Sequence, residues 1–351
     1  MTSKLILERK IKVALVGCGR ISANHFNAIK HHHEALELVA ICDTNKNRLN
    51  ELQPLHDVPL YLNLEEMLKH AEIDVVVLCT PSGLHAEQAC LAATYGKHVI
   101  TEKPMATRWQ DGLQMVKACD KAGVYLFVVK QNRHNATIVA LKKAIDAGRF
   151  GRIYLVTSNV FWTRPQSYYQ QDSWRGTWEF DGGAFMNQAS HYVDLLDWLI
   201  GPVESIQSMM GTLARNIEVE DTGVLNIRWR TGALGSMSVT MLTYRKNLEG
   251  SISILGENGT VRLGGPALNE IQHWEFADDA DSKEEMNRLN YEVSSVYGNG
   301  HLLYYENVIK VFRGEETPQT DGREGLRSLE LLVSAYLAKK EGKTIHLPLE
   351  I

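Results

Sequence analysis

Residues 12–43 read KVALVGCGRISANHFNAIKHHHEALELVAICD, a stretch in which two apolar runs flank a glycine turn and a helical segment. The first run, 13–16, is wholly apolar and predicts a buried strand. The second run, 38–42, predicts another strand, and it ends on Asp43. Between them the apolar residues are spaced as on a helix. This succession of strand, glycine turn, helix, strand and acid is the context in which a glycine pattern indicates a dinucleotide site.

The glycine turn and the terminal acid have separate tasks in such a site. Gly17 permits the tight turn, and Gly19 lets the backbone approach a pyrophosphate at the positive end of the helix. Ser22 stands where the usual fingerprint has a third glycine, and serine is small enough to keep helix and strand close. Asp43 follows the glycines by about 20 residues, where a carboxylate can hold both ribose hydroxyls of NAD and would repel the 2′-phosphate of NADP. We therefore expect NAD as the cofactor; the alternative is a parallel-sheet turn that is merely rich in glycine.

The length and composition of the chain indicate its domain number and exclude some kinds of partner. At 351 residues the chain is longer than one core usually supports, so we expect two domains, 1–133 and 134–351. A net charge of −5 argues against nucleic acid or anionic lipid as partner. The chain has no apolar run long enough to span a bilayer and begins with mixed charge, which predicts a cytoplasmic protein without a membrane segment. Its five cysteines lack metal-ligand spacing, so we expect reduced core residues and no metal.

The alternation of strands and helices continues to about residue 129. Asn63 with Glu66, and Thr107 with Gln110, resemble capping boxes at helix starts. Strands separated by helices predict a doubly wound parallel sheet of about six strands. The further predicted strands are 73–79, 98–101 and 125–129, and the further predicted helices are a short one around 67–68, 85–95, one ending near 122, and 136–147.

Polar residues follow three of these strands. Ligands of a doubly wound sheet bind beyond the carboxyl ends of its strands, so these residues are predicted to face the cofactor crevice. The segments are Thr80-Pro81 with His85 nearby, Glu102-Lys103-Pro104, and Gln131-Asn132-Arg133.

From Gly151 onward, strands follow one another without helices between them, which predicts a mostly antiparallel sheet in the second domain and an α/β fold overall. One helix, 184–200, interrupts this half after Gly182-Gly183. The acidic stretch 278–285 is predicted to be a solvated loop. The predicted strands are 153–162, 224–229, 235–243 and 251–255, and the closing helices are 302–312 and 324–339, the latter with Asp321-Gly322-Arg323 as a start signal.

The interrupting helix carries a polar stripe. Asn187, His191 and Asp194 stand at i, i+4 and i+7 and therefore share one face. A polar stripe on so apolar a helix must meet hydrogen-bond partners or a cavity. We interpret it as part of an active site; a satisfied core histidine is the alternative.

These motifs, in this order, resemble the Gfo/Idh/MocA oxidoreductases over nearly the whole chain. The resemblance implies a Rossmann domain, a C-terminal α/β domain with an open, mostly antiparallel sheet, and NAD(P)-dependent oxidation of sugar hydroxyls. It also implies a homo-oligomer assembled through the open face of that sheet, for which we favour a tetramer. The residues that carry it are the glycine turn with Asp43 and Arg48, Thr80-Pro81 with His85, Glu102-Lys103-Pro104, Gly182-Gly183, Asn187-Gln188-Ala189-Ser190-His191, and Thr320-Asp321-Gly322-Arg323-Glu324-Gly325.

The same resemblance implies which residues contact the cofactor. They are Gly17, Gly19, Arg20, Ile21, Asp43, Arg48, Thr80, Pro81, His85, Glu102, Lys103, Gln131, Asn132, Trp174 and Arg175.

Four stretches are similar to one subgroup of the family, 131–133, 173–178, 182–191 and 215–222. That subgroup oxidises the 3″-hydroxyl of UDP-N-acetylglucosaminuronate to a 3-keto sugar, a step toward the diacetamido uronic acids of bacterial lipopolysaccharide and O-antigen. Another sugar or inositol dehydrogenase of the family is one alternative. A non-catalytic NAD-binding regulator is the other, and the presence of Lys103 and His191 argues against it.

Oxidation of a secondary alcohol needs a base that takes the hydroxyl proton as hydride leaves. A lysine desolvated beside the positive nicotinamide is disfavoured in its charged form, so Lys103 is our preferred base. His191 could serve instead or could orient the hydroxyl. Asn187 stands where the family commonly has aspartate, and an amide cannot stabilise an imidazolium. This substitution favours Lys103 as the base and Asn187 as a hydrogen-bonder to the substrate.

A UDP-uronate carries a pyrophosphate and a carboxylate, so its pocket needs guanidinium groups. Each candidate arginine is about as well explained by a surface ion pair, and only their number favours an anionic sugar. The tract His31-His32-His33 is better explained as a solvated helix end than as a metal tract. The predicted substrate residues are Lys103, Arg133, Arg164, Arg245, Tyr168, Tyr169, Asn187 and His191, with Arg175 as a further arginine.

Overall fold

The computed structural model describes residues 5–278, 280–292 and 300–349, and the chain divides into two compact units. The first unit contains the chain up to Lys130 together with His301–Leu329. The second contains Gln131–Gly300 and the chain from Glu330 onward. The division falls after residue 130, where the sequence suggested residue 133, and a late segment belongs with the first unit.

The first unit is built on a six-stranded sheet in which every pairing is parallel. Its strand order, β3-β2-β1-β4-β5-β6, reverses direction between β1 and β4. The inner strands are almost wholly buried, as strands covered by helices on both faces must be. The predicted doubly wound sheet is confirmed. The strands are β1 (Ile11–Val16), β2 (Leu36–Cys42), β3 (Leu60–Tyr61), β4 (Val75–Leu78), β5 (His98–Thr101) and β6 (Leu126–Val128).

Helices alternate with these strands. Asn63 caps the third helix, since its side chain accepts the N–H of Glu66 at 3.1 Å. The fifth helix has Arg108 as its N-cap, without a cap bond from that side chain; the capping box on Thr107 and Gln110 stays a prediction. The helices are α1 (Ser22–His31), α2 (Lys46–Leu52), α3 (Leu64–His70), α4 (His85–Thr94) and α5 (Trp109–Ala122).

His31 and His33 are exposed around the end of α1, as a solvated helix end requires. All five cysteines are free, but only Cys42, Cys79 and Cys119 are buried, so the prediction of core residues is wrong for the half-buried Cys18 and Cys90. Burial, with a smaller effect of Asp43, raises the pKa of the Cys18 thiol to about 12, so this thiol stays neutral.

The second unit holds an eight-stranded sheet of order β13-β12-β11-β7-β10-β9-β8-β14. Six of its pairings are antiparallel, which confirms the mostly antiparallel prediction. The exception is the parallel pair of β7 and β10 in the middle of the sheet. The strands are β7 (Ile153–Phe161), β8 (Val203–Gly211), β9 (Thr222–Trp229), β10 (Leu234–Thr240), β11 (Glu249–Gly256), β12 (Gly259–Gly264), β13 (Glu270–Phe276) and β14 (Ile345–His346).

Two predictions for the helices of this unit need correction. The helix predicted over 184–200 is interrupted, because a π-helical turn, Ala184–Gln188, precedes the α-helix proper. The stretch predicted as a solvated loop, 278–285, includes the start of a helix that Ser282 caps through a capping box with Glu285; residue 279 lies outside the described residues. The helices are α6 (Ala136–Asp146), α7 (Gln166–Gln170), α8 (Ser190–Ile200) and α9 (Lys283–Arg288).

Two long helices come late in the chain, α10 (Gly300–Arg313) and α11 (Gly322–Glu341). The predicted start signal of α11 is confirmed: Asp321 Oδ1 accepts the N–H groups of Arg323 and Glu324, both at 2.9 Å. Helix α11 begins in the first unit and ends in the second.

Candidate functional site

The glycine turn lies at the point of the first sheet where the strand order reverses. Gly17 has φ +88°, and a Cβ there would lie 2.7 Å from backbone atoms of Cys79 and Thr80, just past the end of β4. Only glycine allows β1 to turn this close to β4. At Gly19 a Cβ would meet nothing closer than the Arg48 guanidinium, at 3.6 Å. The protein itself does not need a glycine there, whereas a pyrophosphate approaching the backbone does.

Asp43 is held in place beside this turn. Its carboxylate is 9% exposed and accepts the N–H of Cys18 and the N–H of Asn45, each at 2.7 Å. These bonds fix the carboxylate in front of the turn. Arg48 approaches Gly19, Arg20 is exposed and Ile21 is half-buried. The first unit therefore brings the predicted glycines, acid and arginine to one place, and these residues fit a dinucleotide.

His85 connects the segments that follow β4 and β5. It is buried, with Nδ1 2.9 Å from the Pro104 carbonyl oxygen and Nε2 2.9 Å from that of Thr80. Burial lowers the pKa of His85, and a neutral imidazole donates to one of the two carbonyls. Both ring nitrogens thus face backbone, which gives His85 a part in shaping the crevice; its predicted contact with the cofactor stays a prediction.

Glu102 lies in a buried network that the sequence did not indicate. Its Oε1 is 3.0 Å from His25 Nε2 and 3.3 Å from His301 Nε2, and His25 Nδ1 is 2.8 Å from the Tyr305 hydroxyl. Burial alone would raise the pKa of Glu102, but hydrogen bonds from the two histidines outweigh it and hold that pKa well below its usual range. Burial lowers the pKa of His25, so a neutral ring donates through Nε2 and accepts from the tyrosine. The network is consistent with an anionic Glu102 and a neutral His25.

This network holds the backbone of Lys103, the predicted base, in place. Glu102 Oε2 accepts the backbone N–H of Lys103 at 3.0 Å, which fixes the segment that carries the amine. The ligand atoms of His25, Glu102 and His301 lie within 4.8 Å of one another, a spacing that a metal ion can bridge. Their mutual hydrogen bonds already give the carboxylate its partners.

In the second unit, the three side chains of the predicted stripe each have a partner. Gln131 Nε2 donates to His191 Nε2 at 3.1 Å, so the proton of a neutral His191 ring lies on Nδ1. Asp194 forms a bidentate ion pair with Arg133, at 2.7 and 2.9 Å, and both side chains are buried. Asn187 donates to Asp181. The stripe thus faces polar partners rather than the apolar core, and Arg133 is bound to Asp194 rather than exposed; its contact with substrate stays a prediction.

Asp181 is a functional candidate that the sequence did not reveal. It is 1% exposed, and besides Asn187 it accepts the N–H of Gly176 at 2.6 Å. The buried Asp181 carboxylate therefore lies next to the amide of Asn187. In the family that the sequence resembles, the position of Asn187 is commonly an aspartate.

Most of the predicted substrate arginines and tyrosines form one cluster in the second unit. The Arg164 guanidinium lies 5.4 Å and the Arg175 guanidinium 4.5 Å from the Tyr168 ring centroid. Arg175 also donates to the Tyr168 hydroxyl at 2.7 Å and lies 4.5 Å from the Trp174 ring. Tyr169 packs edge-on against Tyr168. The cluster combines two guanidinium groups with aromatic faces, a combination suited to an anionic ligand that carries a flat ring. Arg175 also pairs with the Asp172 carboxylate at 3.2 Å.

Arg245 is the last of the predicted substrate arginines, and its contact with substrate stays a prediction. It is exposed, has φ +66° and lies 5.1 Å from the exposed Tyr244 ring. Its backbone occupies the left-handed region, which is uncommon for a residue other than glycine.

A parallel sheet with a glycine turn at its switch point and an acid after its second strand defines the Rossmann class of dinucleotide-binding proteins. Residues 11–130 match the model of the oxidoreductase family's NAD-binding Rossmann fold, and residues 142–347 match that family's C-terminal α/β domain. The chain belongs to the Gfo/Idh/MocA oxidoreductase family.

Two solved structures are similar to the whole chain. The WlbA dehydrogenase from Bordetella pertussis, in complex with NADH and UDP-GlcNAcA, has 60% sequence identity and a TM-score of 0.96 over 98% of this chain and 100% of that one. The WlbA dehydrogenase from Chromobacterium violaceum, with the same two ligands, has 59% identity and a TM-score of 0.95 over 100% of each chain. A more distant relative, the D-apiose dehydrogenase of Paraburkholderia graminis, is 26% identical over 97% of this chain and 90% of its own. Among the described residues, no helix has both the length and the apolar character to cross a membrane.

Proposed function

We propose that this protein is an NAD-dependent dehydrogenase that oxidises the 3-hydroxyl of UDP-2-acetamido-2-deoxy-D-glucuronate to the 3-keto sugar. The observation that carries the proposal is identity of about 60% along the whole chain with two dehydrogenases bound to NADH and UDP-GlcNAcA. The cluster of Arg164, Arg175 and Tyr168 supports it, since a nucleoside diphosphate sugar offers phosphates to the cations and a uracil ring to the aromatic face.

The choice of NAD over NADP is supported by Asp43. Two backbone N–H groups hold its carboxylate in place, so it cannot turn aside without losing both bonds. A 2′-phosphate would meet a fixed anion, whereas ribose hydroxyls would donate to it.

In the proposed reaction, the glycine turn and Asp43 would hold NAD+, which would supply the acceptor for the hydride from carbon 3 of the sugar. Lys103 takes the proton of the 3-hydroxyl, and the Glu102 carboxylate keeps the Lys103 backbone in position. His191 and Asn187 bind the hydroxyl groups of the sugar and orient it. Gln131 holds the His191 ring through Nε2, and Asp181 holds the Asn187 amide.

We further infer that the product is used for the diacetamido uronic acids of bacterial lipopolysaccharide and O-antigen, and that the reaction takes place in the cytoplasm, where NAD and nucleotide sugars are available. A homotetramer is the assembly we favour. Support for an assembly comes from the sheet of the second unit, where Leu155 pairs in register with Leu234 and with Leu255, and all three are exposed.

The proposal is tested with the purified protein, NAD+ and a panel of UDP-GlcNAcA, UDP-glucuronate, D-apiose and myo-inositol, with NADH absorbance as the readout. We expect turnover with UDP-GlcNAcA and little with the neutral sugars. If only a neutral compound is oxidised, the protein is a different dehydrogenase of the family. Binding of NADH without turnover of any compound would indicate a regulator.

A further inference from the structure

The π-helical turn that carries Asn187 begins without a local capping side chain. The first four N–H groups of a helical segment have no partner within it, so they must find acceptors elsewhere. Here the N–H of Ala184 donates to the backbone oxygen of Glu220 at 3.1 Å, and the N–H of Phe185 donates to Glu220 Oε1 at 3.0 Å. Glu220 lies just before β9, so one remote residue caps two N–H groups.

Tyr336, from α11, completes the cap. Its hydroxyl accepts the N–H of Met186 at 3.2 Å and donates to Glu220 Oε1 at 2.9 Å. The N–H of Asn187 donates to the Gly183 carbonyl oxygen at 2.9 Å. All four N–H groups at the start of the segment are therefore satisfied, three of them by Glu220 and Tyr336.

The Gly182-Gly183 pair accommodates this cap. A Cβ at Gly183 would lie 1.8 Å from Glu220 Oε2, so the carboxyl occupies the space that any other residue would fill. Gly182 has φ +74°, a conformation that favours glycine. The two glycines allow the chain to pass close to the Glu220 carboxyl and then enter the turn.

We propose that Glu220, with Tyr336, is a positioning residue for Asn187 and His191: it fixes the start of the segment that carries both side chains. This inference rests on the proposed function in that it assigns those two side chains to the substrate.

The protonation behaviour of the Glu220 carboxyl is compatible with its role as a cap. Burial raises the pKa of Glu220 to about 7, the negative charge of Asp181 adds to the effect, and the bonds from Phe185 and Tyr336 oppose it. Glu220 Oε2 is buried and makes no hydrogen bond within the described part of the chain. Acceptance by Oε1 does not need a charge, so a neutral carboxyl serves as the cap.

The test compares three variants with the wild type. Glu220→Ala removes the acceptor, Glu220→Gln keeps an acceptor of the same shape without the charge, and Tyr336→Phe removes only the hydroxyl. Glu275→Ala, at an exposed glutamate on β13 of the same sheet, is the matched control.

The first readout is amide hydrogen exchange and needs no substrate. In Glu220→Ala we expect peptides covering 184–189 to exchange about tenfold faster or more, the effect of one lost hydrogen bond, while those covering β7 stay unchanged. Glu220→Gln should stay within about threefold of wild type, because its amide oxygen still accepts. Tyr336→Phe should accelerate exchange at Met186, and it serves as the milder variant if the alanine variant fails to fold.

The second readout separates turnover from cofactor binding. With UDP-GlcNAcA we expect kcat to fall about tenfold or more in Glu220→Ala and to be largely restored in Glu220→Gln, with the Kd of NADH unchanged in both. Unchanged exchange over 184–189 in Glu220→Ala, or faster exchange with an unaltered kcat, would overturn the inference. If the wild type oxidises no nucleotide sugar, the proposed function fails, and the exchange data still decide whether Glu220 caps the turn.

Discussion

Lys103 follows directly after Glu102, whose carboxylate is held between two buried histidines. The bond from the Lys103 N–H to this carboxylate fixes the backbone that carries the amine. The position of the predicted base is therefore set by the buried network around Glu102.

We predict that Lys103→Met keeps NADH affinity and lowers kcat by on the order of a hundredfold or more, because the side chain keeps its length but cannot accept a proton. The measurements are steady-state turnover with UDP-GlcNAcA and fluorescence titration with NADH. Turnover near that of the wild type would exclude Lys103 as the base and leave His191 as the candidate.

The two glycines of the turn give a matched pair of predictions. Gly17→Ala places a Cβ 2.7 Å from backbone and at φ +88°, so we expect it to destabilise the first unit by about 1–3 kcal/mol or more. Gly19→Ala places a Cβ 3.6 Å from Arg48, which the fold tolerates, but it fills the space expected for the pyrophosphate. We expect an unchanged thermal midpoint and NADH affinity weakened about tenfold or more. Equal stability losses in the two variants would contradict this division of roles.

At the scale of single elements, the cap of the π-helical turn predicts a pH dependence. A carboxyl whose pKa rises from its usual value of 4.5 to about 7 on folding holds its proton longer in the folded state than in the unfolded state. Between these two values the folded state binds more protons, so stability falls as pH rises through this window and is constant on either side of it. The resulting decrease in the free energy of unfolding amounts to a few kcal/mol at most.

Glutamine at position 220 cannot ionise, so Glu220→Gln should not lose stability in this way as pH rises. We therefore expect the stability of Glu220→Gln relative to the wild type to increase between about pH 5 and pH 8, as measured by urea denaturation at several pH values. The exposed Glu275→Gln variant should follow the wild type. A constant difference between Glu220→Gln and wild type across this range would show that Glu220 has an ordinary pKa.

Five of the six strands of the first sheet could be predicted because each contains a short apolar run between helices, and a buried parallel strand requires such a run. The sixth strand, β3, was missed because it has only two residues. Four strands of the second sheet were missed, and they lack that signal. In β8 and β12 polar residues interrupt the apolar ones, and β13 carries exposed polar residues along much of its length. β14 has only two residues, held by pairing with β8. The π-helical turn was also missed, since the spacing of residues in 184–200 is compatible with one continuous helix and the irregularity is set by hydrogen bonds to Glu220 and Tyr336 rather than by composition.

The sequence indicated some residues of the candidate site and missed others. Residues within one motif, such as Gly17, Gly19 and Asp43, were found because their spacing reflects a local geometry. The supporting residues were not found, because their partners are remote in sequence: His25 and Glu102 are 77 positions apart, and Phe185 and Glu220 are 35. Only the folded chain brings them together.

At the scale of the whole molecule, the eight-stranded sheet presents a face with exposed apolar side chains. Leu155, Leu234 and Leu255 lie side by side on three adjacent strands and are 40%, 47% and 37% exposed. On the neighbouring strands Met209 faces Val224, and they are 75% and 45% exposed. Contiguous apolar groups on a sheet face are typical of a surface that another subunit covers.

We therefore predict that the wild type is a tetramer in size-exclusion chromatography with light scattering, and that Leu155→Glu combined with Leu234→Glu yields smaller species. Carboxylates that must be buried without partners cost several kcal/mol at each interface, enough to dissociate the assembly at micromolar concentration. The control is Leu55→Glu, since Leu55 is 72% exposed and belongs to the first unit rather than to the eight-stranded sheet, and its change should leave the mass unaltered. A double variant that remains tetrameric would place the interface on another surface, and a monomeric wild type would exclude the assembly altogether.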